Sequence, residues 1–197
     1  VLTFGAFANA AGMVAPVLNG IAQLGRSLNF ASDLGLVSLL SLLCLVIVPT
    51  ALAMAAALCS SAAAENSLRE NLCRFSMSLV PLGFGMWLAH FIFHLFTAAL
   101  TPIPVAERIA NDLQLSHAAP QWAVTSLAFY DLPALELLFL DLGFLLSLYI
   151  AWKVAGQMTS SRRFRTFLPW GLVAGLLFVA GVWIIFQPME MRGMVMH

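Results

Sequence analysis

The chain has 197 residues, of which 61% are hydrophobic and only 9% charged, whereas an ordinary globular domain carries about 25% charged residues. Nine Lys/Arg balance nine Asp/Glu, so no basic field exists to hold nucleic acid, which is excluded as a partner. A mean hydropathy of +0.94 leaves too little polar surface to coat a water-soluble body of this size.

The expected fold is therefore an all-α integral membrane protein, with the lipid bilayer as its first partner. Crossing ~30 Å of hydrocarbon takes about 20 helical residues. Five apolar stretches are that long, over about 2–24, 34–59, 75–100, 132–154 and 167–186, and they predict one transmembrane bundle of about five helices spanning 1–197. Val1 stands inside an apolar run, with neither an initiator Met nor the basic segment of a signal peptide before it. The chain is accordingly read as having lost residues at its start, or as part of something longer. The first stretch is interrupted by Asn9, Pro16 and Asn19 and is rich in Gly and Ala, small residues that let helices approach closely in a membrane. The second is nearly all Leu, Val and Ala after Asp33, a residue suited to a helix N-cap. Pro102 and Pro104 end the third. Asp131, in the string DLP, is read as the N-cap of the fourth, and Pro188 stops the fifth. No internal repeat is visible, which argues against an inverted-repeat transporter. Cys44, Cys59 and Cys73 show no CxxC or other ligand spacing and read as small packing residues.

The connections assign the sides. Arg69 and Arg74 lie between the second and third stretches, and Lys153, Arg162, Arg163 and Arg165 between the fourth and fifth, against Arg26, Arg108 and Arg192 on the other side. Because Lys and Arg resist translocation, the first set is expected to be cytoplasmic at a plasma (inner) membrane, with the N-terminus inside and the C-terminus outside. The one long connection, 101–131, carries Val105, Ile109, Leu113 and Leu115 at near-helical spacing among Glu107, Arg108, Asn111 and Asp112. That pattern predicts a short amphipathic outer-loop helix in the interface, with Trp122, Phe129 and Tyr130 in the aromatic belt.

Ionisable groups inside a bilayer are costly and mark function by default. His90 and His94 in the third helix, and Glu136 and Asp141 in the fourth, are the candidates for a proton, quinone or ligand site. His90 and His94 are spaced i, i+4 and share a helix face, so they can hold one metal ion from one side but cannot grip both faces of one haem. No other histidine falls in a predicted span, since His117 is in the outer loop and His197 is terminal; haem is not expected from this chain alone. At ~1.5 Å of rise per residue, His94 and Glu136 lie about 10 and 8 Å inside the outer end, and His90 and Asp141 about 16 and 15 Å. If the two helices are antiparallel neighbours, His90 would face Asp141 and His94 would face Glu136. The group then either works on protons, a quinol or a metal, or merely joins two helices. Met189, Met191, Met194, Met196 and His197 form a tail of soft donors of the kind that suits copper(I).

The strings LTFGAFANAAGMVAPV, SLVPLGFGMWLAHFIFHL and FQPMEMRG resemble the membrane regions of bacterial polyferredoxin-type proteins, which combine transmembrane helices with iron–sulfur domains and serve membrane electron transfer. The family's cysteine clusters are not among these residues, so no site residue is carried over. The resemblance implies a membrane subunit or domain of a bacterial electron-transfer complex, anchoring redox partners or handling quinol and protons, without necessarily being catalytic itself. A small-solute or metal-ion transporter and a non-catalytic anchor or assembly subunit are the other two readings.

Overall fold

In the computed structural model, residues 2–29, 33–64, 66–115, 119–121, 131–159 and 161–188 are described. They form helices α1 (Leu2–Ala11), α2 (Ala15–Ser27), α3 (Asp33–Leu42), α4 (Val48–Ala64), α5 (Leu68–Ser76), α6 (Val80–Ala98), α7 (Pro102–Asp112), α8 (Leu132–Met158) and α9 (Arg163–Ile185), and no strand among the described residues. A π turn, Leu43–Ile47, joins α3 to α4, and a 3₁₀ turn, Met77–Leu79, joins α5 to α6. Four helical runs are long and apolar enough to cross a membrane: Leu34–Ala63, Leu68–Ala98, Leu132–Met158 and Arg163–Ile185. Their outer faces carry Leu39, Leu58, Phe84, Leu142, Leu145, Leu172, Leu176 and Val179, all exposed. An apolar exterior this extensive is suited to hydrocarbon as its solvent.

The expected first span, 2–24, is not one helix. α1 has ten residues, a rise of about 15 Å, half of a membrane crossing. The chain turns at Gly12–Val14, and the Ala15 N–H donates to the Pro188 carbonyl at 2.9 Å, tying the turn to the end of α9. Pro16 then sits in the first turn of α2, where its missing N–H costs nothing. None of α2 is buried; Val17, Leu18, Ile21 and Leu24 share one side and Asn19, Gln23 and Arg26 another, the pattern of a helix lying on an interface. The break therefore replaces a fifth span with a half-helix and a surface helix.

α6, α8 and α9 form the centre. α6 and α8 are antiparallel, with their backbones in contact. A Cβ on Gly85 would lie 2.5 Å from the Phe139 carbonyl oxygen, and one on Gly143 would lie 2.7 Å from that of Pro81. The buried Leu82 N–H donates to Ser147 Oγ of α8 at 2.9 Å. One stripe of α8, namely Glu136, Leu140, Gly143, Ser147, Ala151 and Ala155, is buried. Leu140 and Phe7 both fill the notch at Gly181 of α9, and Phe144 stacks on Phe178 at 4.4 Å. α1 lies in the groove beside α6, with Thr3 Oγ1 donating to the Leu79 carbonyl at 3.1 Å and Thr3 against Gly83. α4 closes the other flank of α9 through Ser60 Oγ, which donates to the Thr166 carbonyl at 2.6 Å.

The helices run so that Arg69, Arg74, Lys153, Arg162, Arg163 and Arg165 gather at one end of the bundle (the arginine end), while α2 and α7 lie at the other, the far end. Arg163 folds over Trp152, 4.1 Å from its ring, and donates to the Trp152 carbonyl, a stem packed on apolar surface with its charge at the rim.

α7 is helical as the 105–115 pattern predicts, but it starts at Pro102, so the prolines open this helix rather than simply closing the one before. It ends in an αL residue, Gln114 (φ 58°), with Leu115 N–H on the Ala110 carbonyl, the Schellman arrangement. Asp131 precedes α8 but makes no capping bond with its side chain; Pro near the helix start supplies the signal instead. The cysteines are exposed and free rather than packed inside. His117, Trp122, Phe129, Tyr130, Arg192 and the tail donors Met189, Met191, Met194, Met196 and His197 lie outside the described residues.

Candidate functional site

α6 reads VPLGFGMWLAHFIFHLFTA. Its two glycines face neighbours: Gly85 lies against α8 and Gly83 against α1. At 100° per residue, His90 falls within about 20° of the Gly83 direction, between α1 and the bundle centre, and His94 follows one turn later on the same face. Close helix packing at Gly83 and Gly85 thus carries the imidazoles inside: His90 is 7% exposed and His94 half-buried.

The two rings meet edge to face, centroids 4.5 Å apart, with Nε2 of His94 and Nε2 of His90 3.1 Å from each other. At that distance one nitrogen donates and the other accepts, so the pair shares a proton. Its Nε2 thus occupied, His90 presents Nδ1 to the interior, where that atom is buried with no hydrogen-bond partner.

The α6/α8 register, fixed by Leu82–Ser147 and Gly85–Gly143, carried toward the far end, sets His90 level with Leu138 and Phe139 and His94 level with Ala134 and Leu135, so Glu136 lies between the two imidazoles in depth. Glu136 is 3% exposed, on the inward stripe of α8, and its Oε1 is likewise buried without a partner. No hydrogen bond or ion pair joins the two residues directly. An unpaired buried carboxyl oxygen and an unpaired buried imidazole nitrogen are each costly, about 1–3 kcal/mol.

This corrects one of the two expected pairings. Asp141 does not face His90. It is exposed, outside the buried stripe of α8; five residues from Glu136 turn it about 140° away. His94 and Glu136 each stand four residues inside the far ends of their helices, Ala98 and Leu132, about 6 Å. The interior group is His94, His90 and Glu136, with Asp141 on the opposite side of α8. Among the described residues no three His, Cys, Asp or Glu side chains are placed to hold a metal ion, so His90 and His94 offer two ligands and no third.

The sequence reading missed the buried polar residues Thr3, Ser60, Ser78, Ser147 and Thr166, whose hydroxyls bond to backbone, those of Thr3, Ser60 and Ser147 across helices and those of Ser78 and Thr166 within the local turn. Only the small-residue spacing of Gly143, Ser147, Ala151 and Ala155 announced that face. A second unpaired pair, Asn71 Oδ1 and Trp170 Nε1, lies toward the arginine end beside the Phe75–Trp170 stack (5.4 Å, 5°).

No family model, curated protein or solved structure matches this chain. Its chemistry therefore rests on the geometry of the site.

Proposed function

We propose that this chain is a membrane-embedded subunit of an electron-transfer complex whose His94, His90 and Glu136 move the protons of a quinol. The observation that carries this reading is the Nε2–Nε2 hydrogen bond of the histidine pair, leaving a buried Nδ1 within one helical turn, in depth, of a buried, unpaired carboxyl group. An imidazole accepts a proton on one nitrogen and releases one from the other. His94, nearer the far end, can thus pass protons to His90, and Glu136 can take or return them across the gap by a bridging water.

A groove of about 370 Å³ on the flank between α1 and α6, lined by Thr3, Ala6, Asn9, Gly83, Phe84 and Trp87, gives an isoprenoid chain room beside this site. Phe84, Trp87 and Phe91 stack in series, at 6.0 and 5.4 Å, along the same flank to the level of His90. Other redox subunits would then supply the electron path.

The test is quinol-dependent electron transfer by the native complex carrying Glu136→Gln, which keeps the shape and removes proton exchange. Turnover is expected to fall about 10²-fold, the lower range for loss of a proton-transferring group, with assembly unchanged. Full activity would refute the reading. Proton or cation flux without quinol would instead favour an ion transporter, a reading supported by the break after α1 at the depth of the site, because interrupted helices line ion paths.

We further propose that the bundle lies in the plasma (inner) membrane with the arginine end cytoplasmic, the start of α1 directed toward that side, and α2, α7 and the C-terminus outside. Six cations in the connections on one side against Arg26, Arg108 and Arg192 on the other support this orientation. Since Cys44, Cys59 and Cys73 are exposed, they must first be replaced by serine. A single cysteine at Arg165 should then react with an impermeant maleimide only from the cytoplasmic side, and one at Glu107 only from the outside. The reverse pattern would invert the topology.

A further inference from the structure

Asp141 is the tenth residue of α8, about 13 Å from Leu132 and about 18 Å from Lys153 by helical rise, so it lies deep within any bilayer that Lys153 borders. It is exposed, and so are its neighbours Leu138, Leu142 and Leu145, at 50%, 54% and 61%. A carboxylate on a lipid-facing leucine surface is unfavourable, whereas intramembrane acids ordinarily face a protein interior and pair with a partner. Among the described residues Asp141 has neither hydrogen bond nor ion pair.

We infer that the Leu138–Asp141–Leu142–Leu145 face of α8 seats a transmembrane helix of another subunit, one that presents a lysine or arginine at the depth of Asp141. Charge complementarity selects this occupant. A second copy of the chain does not fit: its described Lys and Arg residues lie at the two ends of the bundle. Its His90 and His94 face inward and, in a copy of the same orientation, stand level with residues 134–139, about 3–10 Å nearer the far end than Asp141. The surrounding leucines supply the packing, and the single acid fixes depth and partner, as one buried polar residue fixes register in a helix pair. This surface is on the side of α8 away from Glu136, so it stands whether or not the proton reading does.

Two measurements test it. In native membranes, the mass of the assembly containing this chain is compared for wild type, Asp141→Glu and Asp141→Leu. A heteromeric assembly retained by Asp141→Glu and lost in Asp141→Leu, with the released chain as thermally stable as wild type, is expected. The released partner must carry a membrane-embedded Lys or Arg whose replacement by Leu has the same effect. In vesicles, a poly-leucine transmembrane peptide with one central lysine should associate with labelled wild-type chain about tenfold more tightly than with Asp141→Leu, while the lysine-free peptide should not discriminate. An assembly indifferent to Asp141→Leu, a homodimer of this chain alone, or equal binding of the two peptides would overturn the inference.

Discussion

Replacing His90 with phenylalanine is expected to slow quinol-dependent electron transfer about 10²–10⁴-fold, the range for removal of a positioned proton carrier, and to leave the thermal unfolding temperature unchanged or higher. Both halves follow from one geometry. In the proposed path His90 stands in the middle, with Nε2 bonded to His94 and Nδ1 turned to the interior, so its removal is expected to interrupt proton passage. The same Nδ1 is a buried polar atom without a partner, a cost of about 1–3 kcal/mol that an apolar ring of similar shape removes. A residue kept only to hold helices together would behave in the opposite way, with activity retained and the unfolding temperature lowered. Turnover and unfolding measured on one preparation separate the two cases.

Gly143→Leu is expected to abolish folding of the bundle. A Cβ at this position would lie 2.7 Å from the Pro81 carbonyl oxygen and 3.2 Å from the Cα atoms of Leu82 and Gly85, all backbone, which cannot step aside as a side chain can. The helices must separate, and separation also breaks the bond from Leu82 N–H to Ser147 and uncovers Leu140. Even Gly143→Ala should cost about 2–3 kcal/mol, a fall of roughly 5–10 °C in unfolding temperature for a chain of this size. Gly175→Ala is the control, since a Cβ there meets nothing within 4 Å and should leave stability unchanged. Equal behaviour of the two alanine variants would contradict the α6–α8 packing described above.

The membrane class and four of the five expected spans were legible because they depend on the length and hydropathy of continuous runs, a signal that tertiary contacts barely modify. The failed span shows where that signal stops. Residues 2–24 are apolar enough for a helix, but whether Gly12–Val14 turns is decided by a bond from Ala15 to Pro188, far away in the chain. Pro16 marked the place without stating the outcome. The site was legible in kind and wrong in one pairing. His90, His94 and Glu136 stood out as ionisable groups in apolar runs, and two of the three are deeply buried. Which carboxylate turns inward depends on the backbone contact of α6 with α8 and on the rotational setting of α8, fixed by Gly85 and Gly143. Neither is encoded in the local pattern around Asp141, which is why an acid on the outer face was read as an inner partner.

The central claim is that His90 and Glu136 act on one proton as a unit, and the double variant His90→Phe/Glu136→Gln tests it most directly. Groups that serve one step are non-additive when removed together. Turnover of the double variant, measured beside both single variants in the same native complex, is predicted to equal that of the slower single. Losses that multiply would show two independent roles and contradict the shared path.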